Sequence, residues 1–389
     1  MRIRPLLLLL VALLAIGAGQ VRGAGPHPKL AALADNTALD LGRYTCNQPP
    51  DDPTDCDTIT DYSRIVYDRF NHQLLMFGGG HAATHRTDVD VFDLESLRWT
   101  SAYPSTPCSA MRVANVGPRA EWKSTGHPIA RHTYDMFLMA DNVKRALLLG
   151  STTGLGVCLE RPQGQNDPYM IAGRIGVYDP VEKSWAYSPA STGGWMTYAA
   201  AEYDPPSGQV VILDYHSLWT YDPIKQTAVQ QQSSRREELG YAKNLVYFPP
   251  DQKMYYFADG SDVFEVELNR SRFSGSKIGR VKGIKGDVPK LPETGFAYDA
   301  VNRIIGGGIV NGVFHAYDPA TRTWTARTIQ APGAERPVGS VAFHALDYDP
   351  VNNVFFFISD YESGRRTWAY RYAARRDDAA PAREAKPRQ

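Results

Sequence analysis

The chain has 389 residues, with 42 Lys+Arg against 42 Asp+Glu, 43% hydrophobic and 11% aromatic residues. That composition excludes a mainly disordered, fibrous or multi-span membrane protein. Setting aside residues 1–23 and 375–389 leaves 34 basic against 39 acidic groups, and a mildly acidic body gives no reason to expect nucleic acid as a partner.

In chain order, Met1-Arg-Ile-Arg4 is a short basic region, Pro5–Gly19 is one apolar run, and Val21-Arg-Gly23 precedes Ala24. That order is a secretory signal whose apolar part is short for a membrane span. Residues 1–23 are therefore expected to be removed, and the product to be secreted or periplasmic with no span left; an uncleaved anchor is the alternative. Residues 24–374 read as one folded domain. Ala374–Gln389, rich in Ala, Pro and charge, reads as a disordered tail. Four cysteines in an exported chain suggest two disulfides. Cys46 and Cys56 bracket a Pro/Asp-rich loop, which leaves Cys108 to pair with Cys158. No Cys/His spacing suggests a metal, and nothing identifies a cofactor.

The body is repetitive. An apolar strand ending in Tyr-Asp, a polar turn and a second apolar strand recur: Ile65–Asp68 with Leu74–Phe77, Ala201–Asp204 with Val210–Leu213, and Leu346–Asp349 with Val354–Phe357. Looser copies start at Leu245 and Phe296, and a degenerate one runs from Phe137 to Leu149. After each copy an aromatic or apolar residue is followed seven positions later by its partner. The pairs are Phe92 with Trp99, Tyr178 with Trp185, Tyr317 with Trp324 and, more weakly, Tyr221 with Ala228 and Val266 with Phe273. Asp followed by Pro presets a tight turn, because Asp accepts backbone bonds and Pro fixes φ. Each repeat therefore supplies four short strands, a to d, in two hairpins.

Repeats of roughly 44–72 residues, each a four-stranded antiparallel sheet, describe an all-β propeller. The spacing, Gly78-Gly79-Gly80 after strand b and the aromatic/Trp pair resemble the kelch repeats of the galactose-oxidase-like propellers. The expected fold is a six-bladed kelch-like ring, with seven blades as the alternative count. The last repeat lacks a fourth strand, and Asn36–Leu41 has no repeat of its own. This segment is expected to complete the last blade and close the ring.

Loops joining d to the next a, and b to c, emerge on one face. That face carries the long segments Ser105–Ala130, Thr152–Ala172 and the basic stretch Ser274–Lys290. Long loops on a rigid scaffold are where binding and catalysis usually sit. His81, His85 and Arg86 fall there, with His132 in Arg131-His-Thr-Tyr134 and His216 in Asp214-Tyr-His216. Around the channel mouth the starts of strands a read Tyr62, Tyr134, Tyr198, Lys243, Glu293 and His344. Trp122 and Trp219 map near the same face.

Three chemistries could use these residues. A binding module would hold an anionic glycan or other small polar ligand with His85, Arg86, Arg131, Tyr215, His216, Lys243, Glu293 and His344. A polysaccharide lyase needs a cation for the uronate carboxylate, a base and an acid, and His132, Tyr134, His81 and Tyr198 are the candidates. The resemblance also brings a copper-radical oxidase, which needs His and Tyr copper ligands and a Cys cross-linked to a Tyr. Pairing all four cysteines leaves no thiol for that cross-link. Binding is the leading expectation. Oligomeric state is not legible.

Overall fold

The computed structural model describes residues 25–374 except 47–50, 52–61, 79–85, 151–157, 159–172, 193–198, 215–216, 233–242, 259–261, 272–275, 287, 290, 292–293, 338–342 and 360–363. Six blades of four antiparallel strands form the ring, the first extended by a short parallel strand. Blade one is Ser63–Asp68, Gln73–Met76, Asp90–Asp93 and Arg98–Ser101; blade two is Phe137–Ala140, Arg145–Leu148, Arg174–Asp179 and Ser184–Ser191. Blade three comprises Ala200–Asp204, Gln209–Leu213, Leu218–Asp222 and Thr227–Gln232. Lys243–Phe248, Lys253–Ala258, Val263–Leu268 and Ser276–Arg280 make blade four. Blade five is Phe296–Asp299, Ile304–Val310, Val313–Asp318 and Thr323–Thr328. Blade six is Leu346–Asp349, Val354–Ser359 and Arg366–Arg371, and its outer strand is Thr37–Arg43 from the other end of the chain. The described helix is limited to Pro28–Ala31 and two 3-10 turns.

The closure agrees with the sequence. Thr37 pairs with Arg371 and Asp40 with Trp368, antiparallel. Arg371 then donates to the carbonyls of Leu30, Ala31 and Leu33, and to that of Asn352. One buried guanidinium thus ties the carbonyl end of the first helical turn to the last blade.

The Tyr-Asp phrase has a clear physical meaning at its Asp. Asp68, Asp204, Asp299 and Asp349 are fully buried. Asp299 accepts from the amides of Val301 and Asn302, and Asp349 from those of Val351 and Asn352. Asp68 does the same for Phe70 and Asn71, so these three carboxylates close their own turns as Asx turns, while Asp204, followed by two prolines, is held by Arg270 instead. The residue four places after the turn's first position is left-handed in every blade: His72, Lys144, Gly208, Gln252, Arg303 and Asn353 all have positive φ. The c–d turns repeat the scheme at Leu97, Lys183, Gln226 and Arg322.

Neighbouring blades pack through these strands. Val66, Leu75 and Phe77 of blade one meet Phe137, Leu148 and Tyr178 of blade two. Burying each such side chain stabilises by roughly 1.5–3 kcal/mol. The expected pairs Phe92–Trp99, Tyr178–Trp185, Tyr317–Trp324 and Tyr221–Ala228 are directly opposed across their c–d hairpins. Trp99 also donates to Thr367 Oγ1 at 2.7 Å, joining blade one to blade six.

Two expectations are corrected. Val266 pairs with Ile278, not with Phe273, because the turn after Leu268 lacks Asp-Pro and strand d begins only at Ser276. Part of the basic stretch is therefore strand. His344 does not open strand a of blade six. It lies with Phe343 in a two-residue strand that runs parallel to Ser63–Arg64 of blade one, and strand a starts at Leu346. Strand Ile304–Val310 contains Gly306-Gly307-Gly308, where Gly307 has φ of 151° and a Cβ would sit 2.1 Å from the Gly295 carbonyl oxygen, so no other residue fits that close approach.

Candidate functional site

The first face begins where strands a start. Tyr62 precedes strand a of blade one, and His132 and Tyr134 precede that of blade two. The Tyr134 amide donates to the Tyr62 carbonyl at 2.7 Å, which brings the two lead-ins together. The Tyr62 ring stacks on His132 with centroids 4.7 Å apart and planes 19° apart. Tyr134 meets the imidazole edge-on at 5.6 Å, and its hydroxyl lies 3.3 Å from His132 Nδ1. Both tyrosines are left-handed, with φ of 57° and 44°. Bulky residues seldom adopt that region, at a cost of order 1–3 kcal/mol each, so the surrounding structure holds this trio in place.

Arg131 immediately precedes His132. Among the described residues its guanidinium bonds only backbone carbonyls, those of Ile129 at 3.3 Å and Gly150 at 3.1 Å. No carboxylate lies within ion-pairing distance among the described residues, and burial lowers its pKa to about 10. Arg86 is used differently. It is 2% exposed and pairs with both Asp88 and Asp90, at 2.8 Å for the latter. Tyr44 adds a bond to Asp90 at 2.6 Å. The charge of Arg86 is thus already matched inside blade one.

The remaining candidates divide. His81, His85, Tyr198, Tyr215, His216 and Glu293 lie outside the described residues. Lys243 opens strand a of blade four, and His344 pairs with Arg64 across the channel wall. The structure therefore unites His132 with Tyr134 and adds Tyr62. Cys108 is bonded to Cys158, 50 residues away, with Cα atoms 5.2 Å apart. Cys46 is disulfide-bonded too; Cys56, its expected partner, lies outside the described residues. Segment 105–130 carries its own small core of Met111, Ala120, Trp122 and Ile129. Trp122 is thus packing within that insertion and not a surface aromatic.

Sequence reasoning missed the other end of the channel, where strands a run into their turns. A cavity of about 380 Å³ opens there, lined by residues of all six blades. The tyrosine of each Tyr-Asp phrase lines it: Tyr67, Tyr203, Tyr247, Tyr298 and Tyr348, with Met139 in the sixth position. On its floor Arg64 pairs with Asp135 at 3.0 Å and with Glu202 at 3.2 Å. Asp347 lines the same cavity and accepts from the Tyr67 amide. Burial raises Asp135 to about 8 and Glu202 to about 7, against the pull of Arg64. Asp347 is raised for the same reason. Glu202 and Asp347 each stand one residue before the tyrosine of the phrase, and charge inside two apolar strands is the signal that could have located this floor.

No protein-family model matches the chain, and no curated protein does. Solved structures match by fold. An auxiliary nutrient binding protein from Bacteroides thetaiotaomicron is 12% identical with a TM-score of 0.50, the alignment covering 90% of this chain and 75% of that one. A protein of unknown function from the same organism is 10% identical at a TM-score of 0.51, over 86% of this chain and 75% of that one. At such identities the likeness is one of fold alone.

Proposed function

We propose that the chain is an exported binding propeller whose long-loop face engages an anionic, uronate-containing glycan. The observation that carries this reading is the Tyr62–His132–Tyr134 cluster, two tyrosines held left-handed around one imidazole at the start of the channel. Strained residues persist where a site over-determines them, and aromatic faces with polar edges suit a sugar ring. Arg131 supplies the preference for an anion, since a buried guanidinium without a carboxylate gains most from one brought by a ligand. Export accords with the apolar leader, which lies outside the described residues, and with the Cys108–Cys158 bond. The first similar structure is named for nutrient binding, and this chain would share binding with that protein.

The contact between His132 Nδ1 and the Tyr134 hydroxyl favours a second reading. A base and an acid in hydrogen-bond reach are what a uronate lyase requires.

Calorimetry against polyuronates and neutral polysaccharides separates these cases. Binding confined to the polyuronates, weakened by roughly tenfold in Arg131→Ala, supports the reading. Equal affinity for neutral chains overturns it. Rising ultraviolet absorbance from an unsaturated uronate product, lost in His132→Ala, replaces binding with elimination.

A further inference from the structure

We propose that the turn-side end of the central channel is a second binding site, for a neutral polyhydroxylated ligand of about monosaccharide size. It stands apart from the long-loop reading, because strands a carry the two sites at their opposite ends.

The cavity, about 380 Å³, falls in the range of small-molecule pockets, which are concave and largely apolar with a few convergent polar groups. The tyrosine ring provides the walls. Five blades contribute the same residue at the same register, so the rings surround a ligand instead of covering one side of it. Such rings pack against the C–H faces of a sugar, while their hydroxyls reach its polar rim. The hydroxyls of Tyr247 and Tyr298 make no hydrogen bond to any described residue and remain available.

The floor selects against charge. Among the described residues Arg64 is the one guanidinium on the floor, and its positive charge is shared between Asp135 and Glu202, so no unpaired cation is offered there to an anion. At the rim Arg69 is likewise paired with Asp141. A cation is disfavoured by the Arg64 guanidinium itself, which sits on the floor between Asp135 and Glu202. The Glu202 and Asp347 carboxylates accept and the Arg64 guanidinium beside them donates, a combination that matches vicinal hydroxyls. Each carboxylate also keeps lone pairs beyond those used by Arg64 and the backbone amides.

Ligand-observed NMR and calorimetry with glucose, galactose, mannose and N-acetylglucosamine test this, with glucuronate and glucosamine as charged comparators. At least one neutral sugar should bind with Kd of about 1 mM or tighter. Tyr247→Ala and Glu202→Gln should each weaken it roughly tenfold, while Arg131→Ala leaves it unchanged. Circular dichroism melts establish that the variants fold. Tyr298→Trp, which fills the mouth without deleting a ring, should also block entry. Absence of binding by all four neutral sugars overturns the proposal. So does binding of only a charged comparator, or binding that ignores the channel variants and vanishes with Arg131→Ala.

Discussion

Arg366 grips Asp40 across 326 positions of chain, its Nε and Nη2 lying 2.8 and 2.7 Å from one carboxylate oxygen. The pair is partly exposed, and such pairs contribute at most about 1 kcal/mol. Arg366→Ala should therefore cost little. Deleting residues 25–43 should do far more, since it strips the outer strand from blade six and bares an edge that invites pairing with other chains. The truncated protein should melt earlier and aggregate on heating, as light scattering would show. A truncated chain that melts like the full one would remove closure as a source of stability.

The Cys108–Cys158 bridge spans 50 residues, and a loop of that length is worth roughly 2–4 kcal/mol when cross-linked. The small core around Trp122 already orders one side of it, so the lower figure is expected. Chemical denaturation of the double variant Cys108→Ser/Cys158→Ser measures this. A loss well above the range would mean that the insertion depends on the bridge to fold.

The ring was legible because its information is local. An Asp at the turn, Pro at the next position and an aromatic opposite Trp are readable from spacing; blades two and five show all three in their c–d hairpins, and blades one, three and six keep part of the pattern. Blade four breaks the register where Asn269-Arg-Ser271 replaces Asp-Pro, and Val266 finds Ile278 instead of Phe273. Function was less legible. Whether Arg86 is free or matched depends on Asp88 and Asp90 turning inward together, which no spacing reveals. The tyrosines of the repeat read as strand ends, yet ring symmetry makes them one wall. Tyr62, His132 and Tyr134 were named from their places at the starts of strands a, but their stacking needs two blades at once.

His127 offers a test of pH dependence. Its ring packs on Tyr103 at 4.2 Å, and Nδ1 lies 3.4 Å from Thr87 Oγ1. Burial lowers its pKa from 6.5 to about 4, with Asp88 opposing. The folded state thus binds its proton less readily than the unfolded chain. Its contribution is fully present above pH 6.5 and is lost as pH falls towards 4. Thermal melts should show wild type losing more stability than His127→Gln between those limits. Parallel curves would show that the ring protonates freely in the fold.

The strained tyrosines give the sharpest separation of stability from function. Tyr62 is half-buried at φ of 57°, and Asn accepts that conformation far more readily than an aromatic residue does. Tyr62→Asn relieves backbone strain of about 1 kcal/mol or more, while losing the stack on His132 and some apolar burial of similar size. The two effects oppose, so the melting temperature should stay within a few degrees of wild type. Binding of a polyuronate should nonetheless fall by roughly tenfold, because the ring that faces the ligand is gone. Tyr62→Phe keeps the ring and should restore most of the affinity. If Tyr62→Asn is as destabilising as a core truncation, at about 3–5 kcal/mol, the residue is packing first and the aromatic cluster loses its claim as a site.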